Sequence, residues 1–121
     1  MGEAPSRDQL LAKYFRGLGD PTRLRVLRLL AEESELAAGE IVARLALPQA
    51  TVSTHLGCLR WCGFVTTRRA QRSVIYRIAD ARVNELVALA AALLADNVNR
   101  VAGGTTIDRL GDEDPRRTAR G

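Results

Sequence analysis

The chain has 121 residues, 46% hydrophobic and 26% charged, which suits one compact domain and excludes wholesale disorder and collagen-like repeats. Only five aromatics occur, Tyr14, Phe15, Trp61, Phe64 and Tyr76, so Leu, Val, Ile and Ala must build the core, which favours helices. The formal charge is +4, but its placement matters more: no carboxylate stands between Glu40 and Asp80, while Arg44, Arg60, Arg68, Arg69, Arg72 and Arg77 all fall in that stretch. Such a single-sign block points first to nucleic acid, then to an acidic protein or an anionic surface.

Residues 1–6 read as a flexible N-terminus, 7–99 as the folded domain and 100–121 as a Gly-containing, charged, flexible tail. Leu10, Leu11, Tyr14, Phe15 and Leu18 recur at helical spacing until Gly19 ends the run. Asp20 then caps a second helix that opens on Pro21 and carries Leu24, Val26, Leu27, Leu29 and Leu30 to about Ala31, with Glu32, Glu33 and Glu35 in a loop or frayed end. A short helix from about Ala38 presents Ile41, Val42 and Leu45 and breaks near Pro48. The next, Gln49 to Cys62, buries Val52, Leu56 and Leu59 and turns polar groups outward. Two short helices joined by a tight turn make a helix-turn-helix.

Phe64 to Arg69 and Ser73 to Ile78 read as the strands of a hairpin with a basic tip, a wing. Asp80 caps a last, long helix with an apolar stripe from Val83 to Leu94. The fold class is therefore mainly α with a small β-hairpin, a winged helix-turn-helix. The first and last helices expose more Leu and Val than a chain of this size buries alone, so pairing of two copies through them is expected. A dimer presents two recognition helices about one DNA turn apart and predicts a palindromic double-stranded operator. The longest apolar run, Leu86 to Ala95, is about half a membrane span, and no targeting segment opens the chain. A cytoplasmic location without membrane contact is the expectation, and there Cys58 and Cys62 stay thiols or become metal ligands.

The order of elements, with Leu18-Gly19-Asp20-Pro21-Thr22-Arg23-Leu24, Thr51-Val52-Ser53-Thr54-His55-Leu56, Gly63-Phe64-Val65 and Arg72-Ser73-Val74-Ile75-Tyr76, resembles the ArsR/SmtB family of metal-sensing repressors. The resemblance covers about residues 7 to 98 and implies a homodimer that binds its operator metal-free and releases it on binding metal. The run His55-Leu56-Gly57-Cys58-Leu59-Arg60-Trp61-Cys62-Gly63 is similar to that of the CmtR-like cadmium/lead sensors within the family. There a third thiolate comes from the C-terminal tail of the other subunit, and neither terminal segment here holds a cysteine. Other family sites lack their ligands: Ala37 and Gly39 stand where a Cys-x-Cys pair would, and Asp80, Arg82, Leu93 and Asp96 stand at the last-helix site.

Gln49, Thr51, Ser53, Thr54 and His55 are the expected readers of the major groove, short polar groups suited to base edges and phosphates. Arg68, Arg69, Gln71 and Arg72 on the wing are expected to touch phosphates or the minor groove. Cys58 and Cys62, four residues apart, reach one soft ion from one helix face. Mercury is satisfied by two sulfurs, whereas cadmium or lead would add His55 or a tail carboxylate such as Asp108 or Asp112. No catalytic constellation appears. The alternatives are a metal-independent or redox-responsive winged-helix repressor and a basic protein-interaction module.

Overall fold

The computed structural model describes residues 3–104. Its elements are α1 (Arg7–Leu18), α2 (Pro21–Glu33), β1 (Leu36–Ala37), α3 (Ala38–Leu45), α4 (Gln49–Trp61), β2 (Val65–Ala70), β3 (Ser73–Ile78) and α5 (Ala81–Ala102). The five expected helices and the hairpin are present, in the expected order.

Helix ends follow local chemistry. Ser6 is the cap of α1: its hydroxyl accepts from the Gln9 N–H at 3.1 Å, and Gln9 Oε1 accepts from the Ser6 N–H at 2.7 Å. The Asp20 carboxylate accepts from the Arg23 N–H at 3.0 Å, with Pro21 in the first turn of α2. That helix runs on through Glu33, so Glu32 and Glu33 are helical rather than loop, and Ser34, at φ 71°, ends it.

The turn between α3 and α4 passes through Ala46 in the left-handed region, φ 56°, where most side chains are disfavoured. This reverses the chain within three residues and sets α4 beside α3. Gly63, at φ 83°, then releases the chain from α4 into the hairpin. In the hairpin, Val65 pairs with Ile78 and Ala70 with Ser73, leaving Gln71 and Arg72 as a two-residue turn. β1 adds a third strand in the order β1-β3-β2, Leu36 opposite Tyr76. The sequence did not reveal β1, because two residues carry no alternation to read.

The described chain divides into one unit ending at Asn84 and another beginning at Glu85. Within the first unit Val26, Leu27, Leu30, Leu36, Ile41, Leu45, Val52, Leu56, Leu59, Phe64, Val65 and Val83 are buried. Tyr14 of α1 meets Phe64 with ring centroids 4.4 Å apart. Leu10, Leu11 and Phe15 on α1 stay exposed. In the second unit Leu89, Leu93, Leu94, Val98 and Val101 are exposed. α5 continues past Arg100 to Ala102 and departs from helical geometry at Asn97, whose side-chain amide donates to the Leu93 carbonyl at 2.9 Å. At the start of α5, Asp80 accepts from the Arg82 N–H at 2.8 Å, and the Arg82 guanidinium holds its carboxyl down to about 2.

Candidate nucleic-acid interface and thiol pair

α4 packs through Val52, Leu56 and Leu59, and that choice of face decides what it shows to solvent. Gln49, Thr51, Ser53 and Thr54 are exposed. Thr54 Oγ1 donates back to the Ala50 carbonyl at 3.1 Å, which leaves its oxygen able to accept. His55 departs from expectation. Its ring is largely covered, and Nδ1 lies 3.2 Å from the Arg23 guanidinium and 3.6 Å from the Asp20 carboxylate. Nδ1 thus lies between a donor-only guanidinium and an acceptor carboxylate. His55 therefore faces α1 and α2 on the flank of α4, away from the outer row.

On the wing Arg69, Gln71 and Arg72 are exposed, and Gln71 takes the positive φ of 57° that turns the chain. Arg68 differs, since Glu35 grips its guanidinium at 2.8 and 3.2 Å. Glu35 precedes β1, and the pairing of β1 with β3 brings the acid alongside the hairpin. The Arg68 contact holds the Glu35 carboxyl below its ordinary range. Arg44 likewise meets Glu33 at 3.1 Å. The gap in carboxylates along the sequence is therefore not a gap in space: acids from just before the block fold back onto two of its arginines.

Cys58 and Cys62 are free thiols, both half-buried, the first in the last turn of α4 and the second at its C-cap. Burial pushes the Cys62 thiol up, and the neighbouring Cys58 thiol adds to the effect; Arg23 and Lys13 pull the other way. The close side of Cys62 is the backbone of α1. A Cβ placed on buried Gly17 would come within 3.0 Å of both Cys62 Sγ and the Phe64 ring, so only glycine fits between them without displacement. The carbonyl of the same Gly17 accepts from Arg23 Nε at 2.7 Å, and that of Arg16 from the other guanidinium nitrogen at 3.1 Å. Arg23 thus fastens the last turn of α1 to His55 of α4, one turn before Cys58.

The donor set suits a thiophilic ion: two sulfurs four residues apart, both half-buried. Among the described residues no group of three or more His, Cys, Asp and Glu could hold a metal. Asp108 and Asp112 lie outside the described residues. Sequence reasoning overlooked Gly17, Arg23 and Glu35. A glycine inside a helical apolar run was the one available signal for Gly17, whereas the roles of Arg23 and Glu35 depend on long-range contacts.

Residues 20–67 match the profile of a family described as bacterial regulatory protein, arsR family. The chain is similar to a probable mercury resistance operon repressor of Streptomyces lividans, 39% identical over 102 residues, covering 84% of this chain and 81% of that protein. It is 36% identical over 112 residues to the HTH-type transcriptional regulator CmtR of Mycobacterium bovis, covering 87% and 94%. Among solved structures, the homodimeric winged helix-turn-helix DNA-binding domain of Mb0332 from Mycobacterium bovis superposes with a TM-score of 0.66 at 31% identity, covering 80% of this chain and 92% of that one. Among the described residues no helix is long and apolar enough to cross a membrane.

Proposed function

From the premise that this chain belongs to the ArsR family of bacterial regulatory proteins, and so is a transcriptional regulator and not an enzyme, we propose that it is an operator-binding repressor released by a soft divalent ion, cadmium, lead or mercury, held by Cys58 and Cys62. One observation carries the reading: two free, half-buried thiols stand four residues apart in the last turn and at the C-cap of the recognition helix, where an ion acts directly on the element that meets DNA. The mercury resistance repressor among the relatives supports the kind of effector.

Gln49, Thr51, Ser53 and Thr54 read the major groove from the exposed row of α4, while Arg69, Gln71 and Arg72 hold phosphates from the wing. His55 serves the junction with Arg23 and not base reading. The exposed apolar residues of α1 and, separately, of α5 are the surfaces through which two copies pair, and the two recognition helices of the dimer favour a palindromic operator. Cys58 and Cys62 would hold the ion as thiolates, their protons passing to solvent. Cys62 then leaves its seat beside Gly17 and Phe64, and α4 moves relative to α1. A coupling of about 1–3 kcal/mol lowers operator affinity about 5- to 150-fold.

The test is a gel shift on a duplex from the promoter of the protein's own gene, with cadmium, lead, mercury and zinc, each under reductant. Wild type should bind metal-free and dissociate with a soft ion, and Cys58→Ser and Cys62→Ser should bind equally but hold on. Normal release of both variants by metal would remove the thiol assignment. The four-residue spacing of the two free thiols also supports a second reading, release by oxidation of the pair, which predicts dissociation by oxidant alone.

A further inference from the structure

Trp61 is 91% exposed, the most exposed large apolar side chain of the described chain. Exposure alone would say little of a single apolar side chain; the place of this one says more. Its position on α4 is specific. Ala50, Thr54, Gly57 and Trp61 recur at helical spacing along one line, opposite the buried line of Val52, Leu56 and Leu59. Trp61 therefore continues the outermost row of the reading surface towards the C-terminal end of the helix. One turn before it, Gly57 has nothing within 4 Å of where a Cβ would stand, and Gly57, Arg60 and Trp61 line an open hollow of about 440 Å³.

We propose that Trp61 and Arg60 form a backbone clamp on DNA, the indole lying against a deoxyribose at the wall of the major groove and the guanidinium meeting the adjoining phosphate. The inference rests on the reading of α4 as the recognition helix and extends it. Length decides backbone over base. Trp61 lies roughly 18 Å along the helix axis from Gln49 at 1.5 Å per residue, and recognition helices touch base edges with their first turns. What meets the last turn is the sugar-phosphate wall. Charge agrees with this occupant: no carboxylate lies between Glu40 and Asp80 in the sequence, and neither Glu33 nor Glu35, the acids that fold back onto this block, pairs with Arg60. An indole offers an apolar face to the sugar and an N–H donor to a phosphate oxygen.

The experiment uses the chain's single tryptophan as its own reporter. Full-length metal-free protein is titrated with a labelled duplex from its own promoter and with an unrelated duplex of equal length, following label anisotropy and indole emission together. Emission should change with the same midpoint as anisotropy. Trp61→Ala should weaken binding to both duplexes by about tenfold, as for the loss of one good contact, and leave the preference between them, the melting temperature and the oligomeric state unchanged; Trp61→Phe should recover most of the loss. Arg60→Gln should reduce the slope of log affinity against log salt by about 0.9. Unchanged emission while anisotropy reports binding, or wild-type affinity of Trp61→Ala, overturns the clamp and leaves operator recognition standing. A change of oligomeric state in Trp61→Ala assigns the indole to a second copy of the chain and also overturns it. A wild type that binds neither duplex overturns both readings.

Discussion

In the first half of α4, Gln49, Thr51, Ser53 and Thr54 face solvent, and only Thr54 has a recorded side-chain bond, to Ala50 in its own helix. In the second half His55 is held by Arg23, and Cys62 sits beside Gly17 and Phe64. α4 is thus open along its first turns, whereas further along one flank is fastened through His55 and the capping Cys62 while Arg60 and Trp61 stay exposed on the other. Groups that read a duplex must keep their hydrogen bonds unspent until DNA arrives. Groups that transmit a signal need the reverse: they must already touch the element they move. Under the proposed function this difference fits base reading by the first turns of the helix and response through His55 and Cys62 on its covered flank.

The sharpest way to break that division is to vary pH during metal binding. Both thiols must lose their protons to hold an ion, and burial together with Cys58 pushes the Cys62 thiol up. Protons therefore compete more strongly as pH falls, and affinity should rise by up to about 100-fold per pH unit where both thiols are protonated. Competition with a chelator across pH 6 to 8, conditions chosen for the assay, measures it, and a flat profile would exclude binding to two protonated thiols.

Next in size is Arg23→Ala. It removes donors from the Gly17 and Arg16 carbonyls and from His55, at a cost of ~2 kcal/mol for charge-assisted bonds, or roughly 10 °C in melting temperature for a domain of this size. If the junction is the transmitter, the ratio of metal-free to metal-bound operator affinity should also shrink towards one. A variant with lower stability but an intact ratio would confine Arg23 to a structural role.

The smallest effect compares two neighbours on the wing. Arg69→Gln should lower operator affinity severalfold and reduce the salt slope by about 0.9. Arg68→Gln should do less, because Glu35 already occupies its guanidinium. Equal losses, measured by anisotropy over a salt series, would mean that DNA displaces Glu35 at no net expense.

Much of this was legible from periodicity and end signals. Leu24 to Leu30, Ile41 to Leu45 and Val52 to Leu59 gave the helices their buried faces, and Asp20, Pro21 and Gly63 gave their ends, since each acts within a turn of itself. The placing of the two cysteines on one helix face was also readable, because four-residue spacing fixes it. What escaped depends on residues far apart in sequence. Glu35 reaches Arg68 only after β1 pairs with β3, and His55 leaves the outer row only because Arg23 lies beside it. Charge counted along a chain cannot register such meetings.

Gly17 contributes only main chain on the side where α1 meets the sulfur of Cys62. A side chain at that place would swing to another rotamer under pressure and absorb it. Bare peptide has no such slack, so thrust applied at the sulfur passes into the helix as a whole.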